Sequence, residues 1–488
     1  MTTDCSTHLN LWTIHRQQVT VTFDGGQLVQ DAGLLPLRAF EKRLGFLADL
    51  AQRLPDPRYQ PFVTHSAEEL LTQHVYQLLA GYPDANDADH TRRDPVFQTL
   101  TDLSPDADDP LASRSTLSRF QYAYTRRQCQ LPPEDRPAFH DMYTAQTRRL
   151  GILNDFLVDW FIRTRRQPPT HVTIDLDATD DPTHGDQALS GYHGYYGQHQ
   201  YFPLLALEGD SGFPLAAWLR PGAMGGGTGA VAILDRIVQR LRQAWPDVLI
   251  LVRGDCSLAL PPLYEYCEAQ GLLYAFGYPS NPVLQRRTAQ ALADVELYYT
   301  FYGRRDPHVQ RFEVLEDYQA GGWSRPRRLV AKIERTPQGS QRRFVVTNLS
   351  GDPQGLYLGF YVRRGRVPEQ PFDELKNGLQ AERLSASGFR ANGLRLLLAV
   401  VAYALVVLFR EATVDIAELA GATVSTLRQR LWKVCAWVEV SVRRLWFHVS
   451  EVRPQEGLWR RVQTSLTRFV EELERRTVAR RPPGVLLG

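Results

Sequence analysis

Residues 171–279 switch repeatedly between strand-like and helix-like patterning, and that alternation constrains the fold more than any other feature of the 488-residue chain. HVTIDLDAT (171–179) is a short β-rich run that ends in acids. GYYGQHQYFPLLALEG (194–209) and FPLAAWLRPG (213–222) read as further strands, and residues 230–245 carry a helical period. VLILVRGD (248–255) is a continuously apolar strand that again ends in an acid. A helix closed by Gly271 and the strand LLYAFGYP (272–279) follow. Strands alternating with helices in this way predict an α/β core.

The flanking segments have a different texture. QVTVTFDGGQLVQ (18–30) alternates on either side of Asp24-Gly25-Gly26 and predicts a hairpin. Helices are expected over 36–52, 66–80 and 134–165, and Ser115 is a candidate cap for a basic, aromatic helix over 113–127. Residues 1–150 therefore read as an N-terminal region with a largely helical core. Residues 285–355 break the alternation: VELYYTFYG, QRFEVLEDYQ, RRLVAKIER and RRFVVTNL are strand-like pieces parted by Gly, Pro and Asp. They predict a β-rich insertion between two parts of the core, 151–284 and 356–410. YLGFYVRRGRVPEQPFDELKNGL (357–379) passes from strand to helix. The apolar run LLLAVVAYALVVLF (396–409) is shorter than the about 20 residues a bilayer requires, so a buried helix is expected. Residues 411–488 read as helical and basic.

Composition narrows the class. A hydrophobic share of 43% and a charged share of 23% exclude wholesale disorder. Cys5, Cys129, Cys256, Cys267 and Cys435 are scattered and form no CxxC pair. That excludes a disulfide framework and a cysteine-rich zinc site, and it fits a reducing cytoplasm. The N-terminus has no basic stretch followed by an apolar core, so no signal peptide is expected. Charge is unevenly distributed. Residues 84–110 hold eight Asp against Arg92 and Arg93, whereas residues 321–366 hold nine Arg and one Lys against Glu334 and Asp352. The last 48 residues hold ten Arg against five Glu. Arginine suits bidentate contact with phosphate, and two separate excesses point to a polyanionic partner.

The chemistry-bearing residues are the acids at strand ends. Asp175 and Asp177 lie two apart on one strand and project to one face. Asp255 ends the apolar strand, and Glu369 lies near the start of the helical stretch EQPFDELKNG. Sites in open α/β sheets form at the C-terminal ends of strands. Carboxylates from different strands and a helix, brought together, are suited to hard divalent cations such as Mg²⁺. Two such ions about 4 Å apart can activate a water and stabilise the leaving oxygen of a phosphodiester. GAMGGGTGA (222–230) lacks the Lys-Ser/Thr of a phosphate loop and reads as a flexible strand-to-helix turn.

An ordered set of motifs carries a resemblance over residues 19–410. It comprises FDGGQLVQDAGLLPL, THSAEELL, LAGYPDANDADHTRRDP, LASRSTLSRF, IDLDATDDPTHGDQ, GYYGQHQYFPL, VRGDCSLALP, RRFVVTNL, the Glu369-to-Lys376 block and ERLSASGFRANGLRLLL. The chain resembles the DDE transposases of bacterial insertion sequences, in particular the thirteen-eighty insertion-sequence family, a relative of the four-type family. The resemblance implies an α/β fold with an RNase H-like catalytic core, interrupted by the β-rich insertion and flanked by mainly helical N-terminal and C-terminal regions.

It also implies a catalytic and metal-binding triad of Asp177, Asp255 and Glu369, 78 and 114 residues apart. Asp177 is preferred to Asp175 because Ala178-Thr179 follows it. The triad would hold two Mg²⁺ ions, with Mn²⁺ able to substitute. The family's Tyr-Arg-Glu-Lys signature maps to Tyr361, Arg364, Glu369 and Lys376. The Arg-to-Glu gap is one residue longer than the family's, which leaves Arg366 as a substitute for Arg364. Cys256 stands where Ser is expected. Trp323 in the insertion is a candidate for stacking on a displaced base, with core packing the alternative, and Arg325, Arg327 and Arg328 beside it are candidate DNA contacts. His184 is read as a turn residue, with a substrate or metal contact the alternative. The implied partners are double-stranded DNA, both terminal inverted repeats and target, and a second copy of the chain in a homodimeric synaptic complex. The implied location is the bacterial cytoplasm, on the nucleoid when DNA is bound. Two other classes compete: a DNA-binding derivative without catalysis, and a glycoside hydrolase using two of the acids.

Overall fold

The computed structural model describes residues 8–54, 56, 58–106, 109–123, 139–365, 369–450 and 456–479. The chain divides into two compact units, one of residues 52–57 and 120–408 and one of residues 1–51, 58–119 and 409–488. The N-terminal and C-terminal regions, read separately from sequence, thus belong to one unit.

The first unit is built on an eight-stranded mixed sheet. Its strands are β1 (His171–Ala178), β2 (Leu204–Glu208), β3 (Pro214–Trp218), β4 (Leu249–Gly254), β5 (Leu273–Tyr278), β6 (Val309–Tyr318), β7 (Arg327–Thr336) and β8 (Gly339–Thr347). The spatial order is β6-β7-β8-β5-β4-β1-β2-β3. β1, β4 and β5 are mutually parallel, and every other pairing is antiparallel. Val172, Ile174, Leu176, Ile250 and Val252 are buried on one face and Thr173, Asp175 and Arg253 on the other, as a central parallel strand pair covered on both faces requires. Helices α1 (Phe139–Thr164) and α2 (Ala230–Ala244) close one side. Asn154 of α1 receives the backbone N–H of Ala217 at 3.0 Å and donates to its carbonyl at 3.2 Å, which satisfies the open edge of β3. Asp155 and Asp159 of α1 bind Arg236 and Arg240 of α2. The helix Phe389–Ala412 is long and apolar enough to cross a membrane, and its apolar window is wholly buried.

The alternating stretch folds as its patterning predicts, but two neighbouring segments differ. VELYYTFYG is not a strand: residues Ala289–Tyr302 form a helix ended at Gly303. Its aromatic composition suggests β structure, yet Asn281 caps the helical turns Pro282–Arg287 directly ahead of it. YLGFYV is also helical. Asp352 accepts the Gly355 N–H and starts a widened π turn over Gly355–Tyr361. The three remaining insertion strands, β6 to β8, continue the main sheet because β8 pairs with β5 from Ala275↔Thr347 to Tyr278↔Phe344. The glycine-rich connection does join a strand to a helix, but it is pinned. Buried Arg220 donates to the carbonyls of Phe202, Gly226 and Thr228 at 2.7, 2.7 and 2.9 Å.

The second unit holds helices Leu35–Leu44, Phe46–Arg53, Ala67–Ala80, Pro95–Leu100 and Glu456–Ala479. Ser66 and Glu69 cap the third of these reciprocally. The acidic segment is used locally: Asp94 caps the Pro95–Leu100 helix, and Asp102 binds Arg38 and Lys42. The predicted hairpin about Asp24 is displaced. Strands His8–Ile14 and Gln17–Thr22 pair around His15, which adopts φ 54°, while Leu28–Val29 pairs with Ala436–Ser441. Residues 411–488 are thus not wholly helical, since AWVEVS and RLWFHV alternate and form a hairpin. Ser113, not Ser115, accepts the Thr116 N–H at the start of the Arg114–Ala123 helix.

Candidate active site

The two acid-ended strands are parallel neighbours. Arg253 lies opposite Asp175 and Gly254 opposite Leu176, so Asp255 follows at the level of Asp177. Side chains two apart share a face, which puts Asp175, Asp177, Arg253 and Asp255 on one side of the sheet. Asp255 leaves the strand as the cap of the turn Cys256–Leu258. Its Oδ1 accepts the Ser257 backbone N–H at 3.0 Å and the Ser257 hydroxyl at 2.6 Å.

The sequence leaves Asp175 and Asp177 as alternatives, and their surroundings differ sharply. Asp175 is 1% exposed and takes two bonds from the Arg253 guanidinium, both of 2.6 Å. Arg253 in turn donates to the Phe360 carbonyl at 2.8 Å. A Cβ on Gly209 would lie 2.6 Å from Arg253 Nη2 and 3.0 Å from Asp175 Oδ2, so glycine makes room for the pair. Asp177 is more open. Its Oδ1 accepts the Ala178 N–H at 3.0 Å and its Oδ2 accepts from Arg364 Nη1 at 2.9 Å. Burial pushes its carboxyl up to about 6, with Arg364 opposing the shift and Asp255 adding to it.

The signature residues lie on the helical segment after β8. Arg364 stands 5.9 Å from the centre of the Tyr361 ring. Tyr361 reaches the end of β5, where a Cβ on Gly277 would sit 2.6 Å from its hydroxyl and 3.0 Å from the Cys256 nitrogen. Lys376 binds Asp180, three residues beyond Asp177, at 2.7 Å. Glu369 opens the helix Glu369–Asp373, but its side chain lies outside the described residues, as does Arg366. Cys256 is exposed beside Asp255. His184 is exposed in the loop ahead of Gly185, which has φ 79°.

The basic run around Trp323 is used internally. Trp323 is 7% exposed and packs edge-on against Tyr264, Tyr278 and Tyr318, so core packing, the alternative the sequence leaves open, is what the structure has. Arg325 and Arg327 both bind Glu268, at 2.9 and 2.7 Å. Arg328 donates to the carbonyls of Leu349 and Gly351. The guanidinium groups and Tyr274 hold the Glu268 carboxyl below its ordinary range although burial acts the other way.

Sequence reasoning passes over Arg253, Asp180 and Asp181. Arg253 carries a signal: a cation inside a continuously apolar strand needs a buried partner, and Asp175 stands two residues before Asp177 as Arg253 stands two before Asp255. Asp181 carries none. It is buried, its Oδ1 makes no hydrogen bond, and burial, with Glu382 and Asp180 adding and Lys376 opposing, pushes it up to about 8.

Among the described residues no group of three or more His, Cys, Asp or Glu is gathered as a metal site. Asp177 and Asp255 nevertheless supply hard oxygen donors from adjacent strand ends, a donor set that fits a divalent cation. The Transposase DDE domain group 1 family matches residues 12–471. No curated protein matches the sequence. Among solved structures the chain is similar to piggyBac transposase in a synaptic complex with hairpin DNA, at 10% identity over 93% of this chain and 83% of that one, with a TM-score of 0.43. Since the family match covers nearly the whole chain, both acid-ended strands included, the protein belongs to the DDE transposases of that family.

Proposed function

We propose that the protein is a cut-and-paste DNA transposase of the thirteen-eighty insertion-sequence type, acting through Asp177, Asp255 and Glu369. The observation that carries this reading is the shared level and shared face of Asp177 and Asp255 on parallel neighbours. An antiparallel meander β3-β2-β1 followed by parallel β4 and β5 supports the RNase H-like core, and the segment between β5 and the Tyr361 helix is its insertion.

DDE transposase domains generally use divalent metals, and the three acids would hold two Mg²⁺ ions or Mn²⁺ in their place. Bound ions supply an activated water and charge neutralisation at the leaving oxygen. The chain's own residues do the rest. Asp175 and Arg253 keep β1 and β4 in register. Arg364, charged and already in contact with Asp177, is suited to clamp a phosphate once that carboxylate is otherwise engaged. Lys376 tethers the third-acid segment to the loop after β1 through Asp180. The substrates in this reading are the terminal inverted repeats and target DNA, held by a homodimer. The freed 3′-hydroxyl attacks either the opposite strand, giving a hairpin, or the target.

The test is nicking of duplex DNA carrying the sequences that flank the coding region, in Mg²⁺. Wild-type protein should nick it and folded Asp255→Asn should not. Equal rates would remove the acids from the chemistry. Metal-independent binding without nicking would favour a non-catalytic DNA-binding derivative.

A further inference from the structure

Beyond the acids, one element of the first unit faces outward with an unusual load of aromatic rings. Strands Gly191–His193 and Gln198–Tyr201 form a small hairpin, and Asp181–Pro182 adds a third short strand. The chain closes the tip with Gly197, at φ 66°, donating to the His193 carbonyl at 2.9 Å. The base of the hairpin is tightly fixed. A Cβ on Gly222 would lie 1.9 Å from the Gln200 carbonyl oxygen, and one on Gly191 would lie 2.9 Å from the Ala223 nitrogen. Gln198 also donates to Asp180, the acid that holds Lys376, at 3.3 Å.

The rings fall into two layers. His193 packs on Phe202 at 4.8 Å and on Tyr196 at 5.1 Å, which gives the tip a firm floor. Above it, Tyr195 stands 5.0 Å from Tyr196, nearly perpendicular at 85°, and is 87% exposed. Tyr192 is 58% exposed. Tyr196, 39% exposed, completes this outer layer. Residues 191–201 include no Asp or Glu, so nothing in the hairpin itself repels a phosphate backbone.

We infer that this tip grips an unpaired nucleotide of the DNA strand engaged at Asp177 and Asp255, stacking its base on Tyr195 with Tyr192 and Tyr196 alongside. Flat, exposed rings on a rigid support are what sequence-tolerant stacking on single-stranded bases requires. The bond from Gln198 of the hairpin to Asp180, three residues beyond Asp177, ties the tip to the acid site and selects as occupant a strand engaged there. The inference rests on the transposase reading and adds to it a residue set for the opened strand end.

Two measurements test it separately from that reading. The first is binding of a single-stranded oligothymidylate carrying one 2-aminopurine. Wild-type protein should bind and quench it by stacking, Tyr195→Ala should bind about tenfold more weakly with the quench lost, and Tyr195→Phe should match wild type. Equal affinity and quenching for wild type and Tyr195→Ala would overturn the inference. So would a loss of self-association by Tyr195→Ala with DNA affinity intact, which would assign the tip to a protein contact. The second is nicking of the element-end duplex by wild-type protein. Its failure would count against the transposase reading alone, because the oligonucleotide result does not depend on cleavage. The exposure of Tyr195 makes unchanged thermal unfolding the expected control.

Discussion

Two aspartates near the end of one strand each meet an arginine, and the two pairs have opposite fates. At Asp175 the pair is sealed, bidentate and supported by a glycine that leaves it space. At Asp177 a single bond to Arg364 joins groups that both remain partly open to solvent. The inner pair has no oxygen left for a ligand and can only hold β1 against β4. The outer pair can be exchanged, because Arg364 comes from a helical segment and Asp177 keeps an oxygen whose present donor is only its neighbour's N–H. Two positions of chain separate a sealed acid from an open one, and what separates them physically is access to solvent.

The largest effect should come from breaking the sealed pair. Arg253→Leu leaves the Asp175 carboxyl buried without its cation and should cost about 3–5 kcal/mol of unfolding free energy by denaturant titration. A loss under about 1 kcal/mol would mean that water enters and the pair is not structural. Next, Asp177→Asn should lower nicking by about two to three orders of magnitude, the scale of removing one preorganised electrostatic group. Its unfolding midpoint should stay level or rise, since a carboxyl strained by burial is gone. A clear drop in stability would erase the distinction between the two sites.

A third effect is a slope with pH. Burial pushes the Asp181 carboxyl up to about 8 in the fold, well above the unfolded value of about 3.9. The folded state therefore holds the proton more tightly. The associated stability is complete below about pH 4 and is lost as pH rises through about 8. Asp181→Asn should lack this slope, so its melting temperature should gain on wild type from pH 5 to pH 9. A constant difference over that range would mean that Asp181 is ionised in the fold.

Much of this is legible in the sequence. Acid-ended strands, the helix over 230–244 and the buried helix near residue 400 follow from period and length. The register that puts Asp255 at the level of Asp177 does not, because pairing between distant strands is set by packing. Residues 295–303 and 357–362 mislead because aromatic and β-branched side chains favour strands only where a partner edge is open. Here capped turns open a helix first. Trp323 beside three arginines leaves base stacking and core packing both open in the sequence, and in the fold it is core. Glu268, which neutralises Arg325 and Arg327, lies on the separate helix Pro261–Ala269, and no local pattern connects that helix to the basic run.

The pairing of β8 with β5 has a consequence for the architecture of the chain. Removing residues 282–347 would not shed a detachable module. It would bare the backbone of β5 along one side, and an unprotected flat edge of that kind invites pairing between molecules. The extra strands serve as the permanent guard rail of the sheet that carries the acids, so a shortened relative would need some other cover at the same border.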